Sequence, residues 1–154
     1  MAAMTDQNRV NALLQALFTS SAAFTITPGT GGGSAFTCTP PFRLRLMTAQ
    51  GTNSSNGTEM TTEFGYTTAP GSTANSLGTT FCAAPSGGTQ SNSNSVSWSA
   101  TGTWPTITAI EIWDTAGTPL RWLQGALTSS ITGVVNGDTV QFAAAAITVN
   151  ASSW

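Results

Sequence analysis

Thr106-Ile-Thr-Ala-Ile-Glu-Ile-Trp113, then Asp114-Thr-Ala-Gly-Thr-Pro119, then Leu120-Arg-Trp-Leu-Gln-Gly-Ala-Leu127 is the stretch that decides the fold. A run of β-branched and aromatic residues breaks at a segment of Asp, Gly and Pro and then resumes. The first kind of residue fits a pleated, half-buried surface, and the second supplies turn chemistry. The stretch predicts two strands joined as a hairpin with a long loop.

The same alternation of strand and turn extends in both directions. Downstream, Ile131 to Val135 and Thr139 to Phe142 flank Asn136-Gly137-Asp138. Asn-Gly is the strongest short hairpin signal, so a second hairpin is predicted. Ile147-Thr148-Val149 reads as the last strand, with Ala143 to Ala146 as a close-packed bend before it. Upstream, Val96, Trp98 and Ala100 alternate with Ser95, Ser97 and Ser99, and Trp104-Pro105 follows a Gly-containing bend. Phe42, Leu44 and Leu46 alternate with Arg43, Arg45 and Met47, which predicts a strand with one buried and one wet face, begun at Pro40-Pro41. Residues 49 to 95 read mostly as turn and loop, with short strands near Glu63–Thr67 and Thr79–Ala83. Short strands with regular turns predict a mainly β chain. Its expected form is an antiparallel, jelly-roll-like β-sandwich over residues 35–149. There is no internal repeat.

Before that region, residues 5–18 change period. Val10, Leu13, Leu14, Leu17 and Phe18 fall on one stripe of an amphipathic α-helix, with Thr5 or Asp6 as cap. So short a helix is marginal in water. Ordering each residue costs about 1–2 kcal/mol, against about 1.5–3 kcal/mol for each apolar side chain that finds a partner. The stripe is therefore expected to dock, on the β core or on a neighbour. A chain of 154 residues has the size of one domain, here 1–154, with a core of its own.

Charge excludes more than it suggests. Charged residues make up 6% of the chain, with no histidine and no lysine, where an ordinary soluble domain has about 25%. Nucleophile-plus-base catalysis lacks its base. Two carboxylate pairs, Glu59 with Glu63 and Glu111 with Asp114, have the composition for glycosidic chemistry. The plainer reading is preferred for both: Asp114 opens a turn, Glu111 shares a strand face with Trp113, and Glu59 lies in a loop. No catalytic residue, metal site or cofactor is expected. Zinc wants more Cys or His than Cys38 and Cys82 provide, and the 51–63 loop lacks EF-hand-like calcium spacing. Both cysteines sit in small apolar surroundings, which favours buried free thiols, although a disulfide requires only close Cα atoms.

The net charge of −2 and a basic cluster limited to Arg43 and Arg45 argue against nucleic acid. No apolar run is long enough to span a bilayer, and no basic start followed by an apolar stretch marks a secretory signal. The sequons at Asn53, Asn56 and Asn150 then read as chance matches in a Ser/Thr-rich chain. Trp98, Trp113 and Trp122 are expected to serve as core aromatics. The alternative is a sugar-stacking platform, as in a carbohydrate-binding module.

Thr103-Trp104-Pro105 through Asp114, the returning Leu120–Leu127 and Val135-Asn-Gly-Asp-Thr-Val-Gln-Phe142 together resemble a family of small tailed-bacteriophage virion proteins. Asn11-Ala12-Leu13-Leu14, Phe42–Leu46 and Gly57-Thr-Glu59 leading to Gly65-Tyr66 fit the same order, so the resemblance covers about residues 8 to 149. Its members are labelled tail-fibre-like or capsid decoration proteins. Many carry Arg shortly after the Gly-Tyr pair, where this chain has Thr67-Thr68. The resemblance implies a non-enzymatic virion structural protein made in the bacterial host cytoplasm. The reading adopted is a decoration (minor capsid) protein on the capsid exterior, with the major capsid protein as partner and a homo-oligomer, a trimer, as its state. A tail-fibre or tail-tip component is the alternative within the particle. Hydroxyl- and amide-rich faces suit dense packing of copies, because they avoid like-charge repulsion.

Overall fold

The structure is a computed structural model, and it describes residues 24–26, 36–38, 41–61, 63–67, 77 and 89–150. The expected helix with Val10, Leu13, Leu14, Leu17 and Phe18 lies outside the described residues, as do Cys82 and the strand expected at Thr79–Ala83. The described chain is mainly β. Its strands are β1 (Phe24–Ile26), β2 (Phe36–Cys38), β3 (Arg43–Ala49), β4 (Thr58–Glu59), β5 (Thr89–Ser91), β6 (Val96–Ser99), β7 (Ile107–Trp113), β8 (Arg121–Ile131), β9 (Thr139–Phe142) and β10 (Thr148–Asn150). All pairings among them are antiparallel. They form a four-stranded sheet in the order β4-β3-β7-β8 and three two-stranded ones, β1-β2, β5-β10 and β6-β9. Among the described residues these pairings do not assemble two continuous jelly-roll sheets.

The hairpin that decided the fold is present as β7 and β8. Asp114 closes its loop: the carboxylate accepts from the Leu120 amide at 2.8 Å and from the Trp122 indole N–H at 3.2 Å. The second expected hairpin does not form. Asn136-Gly137 does turn, with Gly137 at φ 95°, but β9 pairs with β6, not with residues 131–135. Val134 instead gives its carbonyl to the Trp104 amide. The strand expected at Glu63–Thr67 is a turn, with Phe64 at φ 52° and Gly65 at φ 85°. Positive φ is rare for a bulky residue. Here the Phe64 carbonyl is held by the Thr101 amide and the Trp104 indole N–H. A Cβ on Gly65 would run into the Ser99 carbonyl.

One apolar cluster joins the four-stranded sheet, the β6-β9 pair and the β5-β10 pair. It takes Leu44 and Leu46 from β3, Ile112 from β7, Val96 and Trp98 from β6, Val140 from β9 and Val149 from β10. Tyr66 packs between Trp98 and Trp104, with ring centroids at 5.7 and 6.1 Å. Buried Asn92 fastens the bend at Ala143–Ala146. Its amide donates to the Ala143 carbonyl at 2.9 Å, and its side-chain oxygen accepts from the Ile147 amide at 2.8 Å.

The period-two reading of β3 is right in direction and wrong about water. Register sets Arg43 beside Trp113, Arg45 beside Glu111 and Met47 beside Ala109. This second face is also buried, with Arg43 at 7%, Met47 at 1% and Glu111 at 1% exposure.

Candidate functional site

The second face holds a polar chain whose links can be followed one by one. The Leu46 amide donates to the Tyr66 hydroxyl at 3.0 Å, and that hydroxyl donates to Glu59 at 2.9 Å. Glu59 also takes the Arg45 guanidinium at 3.0 Å. Arg45 lies over the Trp113 ring, 4.1 Å from its centroid, a cation–π contact. The Trp113 indole N–H donates to Glu111 at 3.0 Å. The other Glu111 oxygen accepts from Arg121 at 3.0 Å and from the Gly57 amide at 2.7 Å.

Arg121 carries the chain outward. Its guanidinium also donates to the Ser55 carbonyl at 2.7 Å and the Thr52 carbonyl at 2.5 Å. The loop between β3 and β4 is thus clasped by one ion pair, its Glu111 end buried and its Arg121 end half-buried. Its glycines are required by close approach. A Cβ on Gly57 would sit 2.5 Å from the Ala49 carbonyl and 3.1 Å from Glu111, and one on Gly51 would strike Arg121. What the loop presents is uncharged: Thr52, Asn53, Ser54, Ser55 and Asn56 are all exposed. The Thr52 hydroxyl knits it internally, 2.7 Å from that of Ser55.

Electrostatics follow from this burial. Desolvation raises the Glu59 carboxyl above its ordinary value. The Tyr66 hydrogen bond and Arg45 act against that rise, while the nearby Glu111 charge adds to it. Burial, helped by the Glu59 charge, holds the Tyr66 phenol protonated far above its ordinary range. Desolvation lowers Arg43.

The structure therefore groups the carboxylates differently from the sequence reading. Glu59 and Glu111 share the network, Glu63 is exposed with the Thr61 hydroxyl at 2.8 Å, and Asp114 serves its turn. The tryptophans also separate. Trp98 lies in the apolar core and meets Phe142 edge-on at 6.4 Å. Trp113 is buried on the charged face. Trp122 is half-buried, edge-on to Phe42 at 6.3 Å. Buried rings offer no open stacking surface, so Trp98, Trp104 and Trp113 do not form a sugar platform. Arg45, Tyr66, Gly57 and Arg121 were missed as site residues. The signal available was charge placed at strand positions in a chain that carries little of it elsewhere. Among the described residues no group of three or more His, Cys, Asp or Glu could hold a metal ion. A cleft of about 240 Å³ beside β10 is lined by Ile110, Ile112, Leu123, Gln124, Gly125, Ile147, Thr148 and Val149, none of them titratable.

Compared with known proteins, residues 10–150 match the family model described as podophage GP4 fiber I protein gp80. The chain belongs to that family. It is a phage virion fibre component, a structural and non-enzymatic protein. The family description favours the tail-fibre alternative over capsid decoration. Neither a curated protein nor a solved structure matches the chain.

Proposed function

We propose that this chain is a subunit of the tail fibre and that it acts as a homo-oligomer, a trimer by preference. The observation that carries this reading is the family match across residues 10–150. The geometry supports it in kind. Most of the described charge is turned inward, and the clasped loop at residues 52–56 presents hydroxyls and amides. Copies packed side by side along a fibre then meet without like-charge repulsion, and several weak contacts combine through avidity. A fibre subunit would meet other fibre or tail chains, not the major capsid protein expected from the decoration reading.

The test is stoichiometry and position in purified particles. A few copies that fractionate with tails and are absent from tailless heads are expected. Hundreds of copies retained on tailless heads would overturn the fibre assignment and restore decoration.

A further inference from the structure

We infer that Arg43 is a buried receptor for a carboxylate, supplied by a second copy of this chain. The inference rests on the geometry of the charged face and stands apart from whether the particle position is fibre or head.

Three arginines, Arg43, Arg45 and Arg121, share this face with two carboxylates, Glu59 and Glu111. Arg45 pairs with Glu59 and Arg121 with Glu111. One cation is left over, and it is Arg43. Its Nε and Nη1 are shut away from solvent with no hydrogen-bond partner, and the whole residue is 7% exposed. A guanidinium offers five N–H donors in a rigid fork shaped for carboxylate. Burying such a charge unpaired is strongly unfavourable. A chain that keeps it there gains on meeting an acceptor.

Charge complementarity points to a second copy. Among the described residues, Glu63 and Asp138 are exposed carboxylates without an ion pair; the Thr61 hydroxyl donates to the first and the Val135 amide to the second. Among the described residues, each copy thus carries one unmatched buried cation and two unmatched surface anions. The complementary contact is heterologous: the donor surface on one copy differs from the receiving surface on the next. Such contacts close into rings or extend into filaments.

The test uses the full chain. Its Lys plus Arg total is four, all arginine, so the side-chain Nε–H signals in an NMR spectrum are few and assignable. The Arg43 signal is expected to shift on dilution as the carboxylate departs. Arg43→Met is expected to weaken self-association by about tenfold or more. The melting temperature of the dilute variant should be unchanged or higher, because an unpaired buried charge has gone. A merely structural arginine would lower that melting temperature. Glu63→Gln combined with Asp138→Asn should reproduce the loss of association, and retained association would overturn the second-copy source. A signal that answers to added acetate but not to dilution would keep the carboxylate site and overturn that source. A signal indifferent to both, or an Arg43→Met variant that associates as before, would overturn the inference.

Discussion

On one face of the β4-β3-β7-β8 sheet, Leu44, Leu46 and Ile112 pack into the apolar cluster. On the other, at neighbouring register positions, stand Arg45, Glu111 and Arg121. Along β3 and β7 both faces are buried, and they hold the sheet by opposite physics. Apolar packing is non-directional and scales with the area removed from water. The charged face depends on direction and completeness, because each buried group left without its partner is penalised. Scarcity of charge in this chain therefore does not mean that charge is unimportant. Most of the described charges lie inside, where each has most leverage.

The largest effect is expected from breaking the charged face at its most buried point. Glu111→Ala removes the acceptor for Arg121, Gly57 and Trp113 together. Loss of one partner from a buried pair costs about 3–5 kcal/mol. Denaturant unfolding measures it, and a change within experimental scatter would show that the network is passive. On the apolar face, Leu46→Ala is expected to cost about 2–5 kcal/mol, according to how far the site collapses. Hydrogen exchange at the Gly57 amide separates the two changes: Glu111→Ala should speed it out of proportion to global stability, and Leu46→Ala should not.

The Tyr66 phenol provides a third contrast. Its folded pKa lies above the unfolded value, so its contribution is complete below about pH 10 and is lost as pH climbs further. The chain has one tyrosine, so tyrosinate absorbance reports on Tyr66 alone. It should stay silent in the folded protein and appear together with unfolding. A signal rising near pH 10 with the fold intact would contradict the burial of this hydroxyl. The smallest effect belongs to Glu59, whose carboxyl is also raised. That contribution is present below the ordinary value of about 4.5 and fades as pH rises through the folded value. Between mildly acidic and neutral pH, the melting temperature of Glu59→Gln should vary less steeply than that of the unaltered chain.

The apolar face was legible in the sequence. Phe42, Leu44 and Leu46 alternate, and period two is a local property of the chain. The hairpin of β7 and β8 was legible for the same reason. The charged face was not, because alternation alone assigns Arg43 and Arg45 to water. Their burial depends on Glu59, Tyr66 and Glu111 arriving from other strands, which no local pattern encodes. Asn136-Gly137 shows the same limit: the turn is local and formed, while the choice of β6 as partner for β9 is tertiary. Phe64 is a sharper case, since a phenylalanine at positive φ runs against its own propensity and is held by Thr101 and Trp104. The clasped loop was read as punctuation because Gly51, Asn53, Asn56 and Gly57 are turn residues. That they pack against Glu111 and Arg121 depends on contacts distant in sequence.

The most direct test is a double-mutant cycle on Glu111 and Arg121, with Glu111→Leu, Arg121→Met and both together compared for stability. If the ion pair is a true clasp, each single variant leaves a charge without its counter-ion, and the double variant is less damaged than the sum of the two. The coupling should then fall in the upper part of the range of about 0.5–3 kcal/mol seen for interacting residues. Additivity within about 0.3–0.5 kcal/mol would mean that the two side chains act independently, and the charged face would lose its role in holding the sheet and its loop.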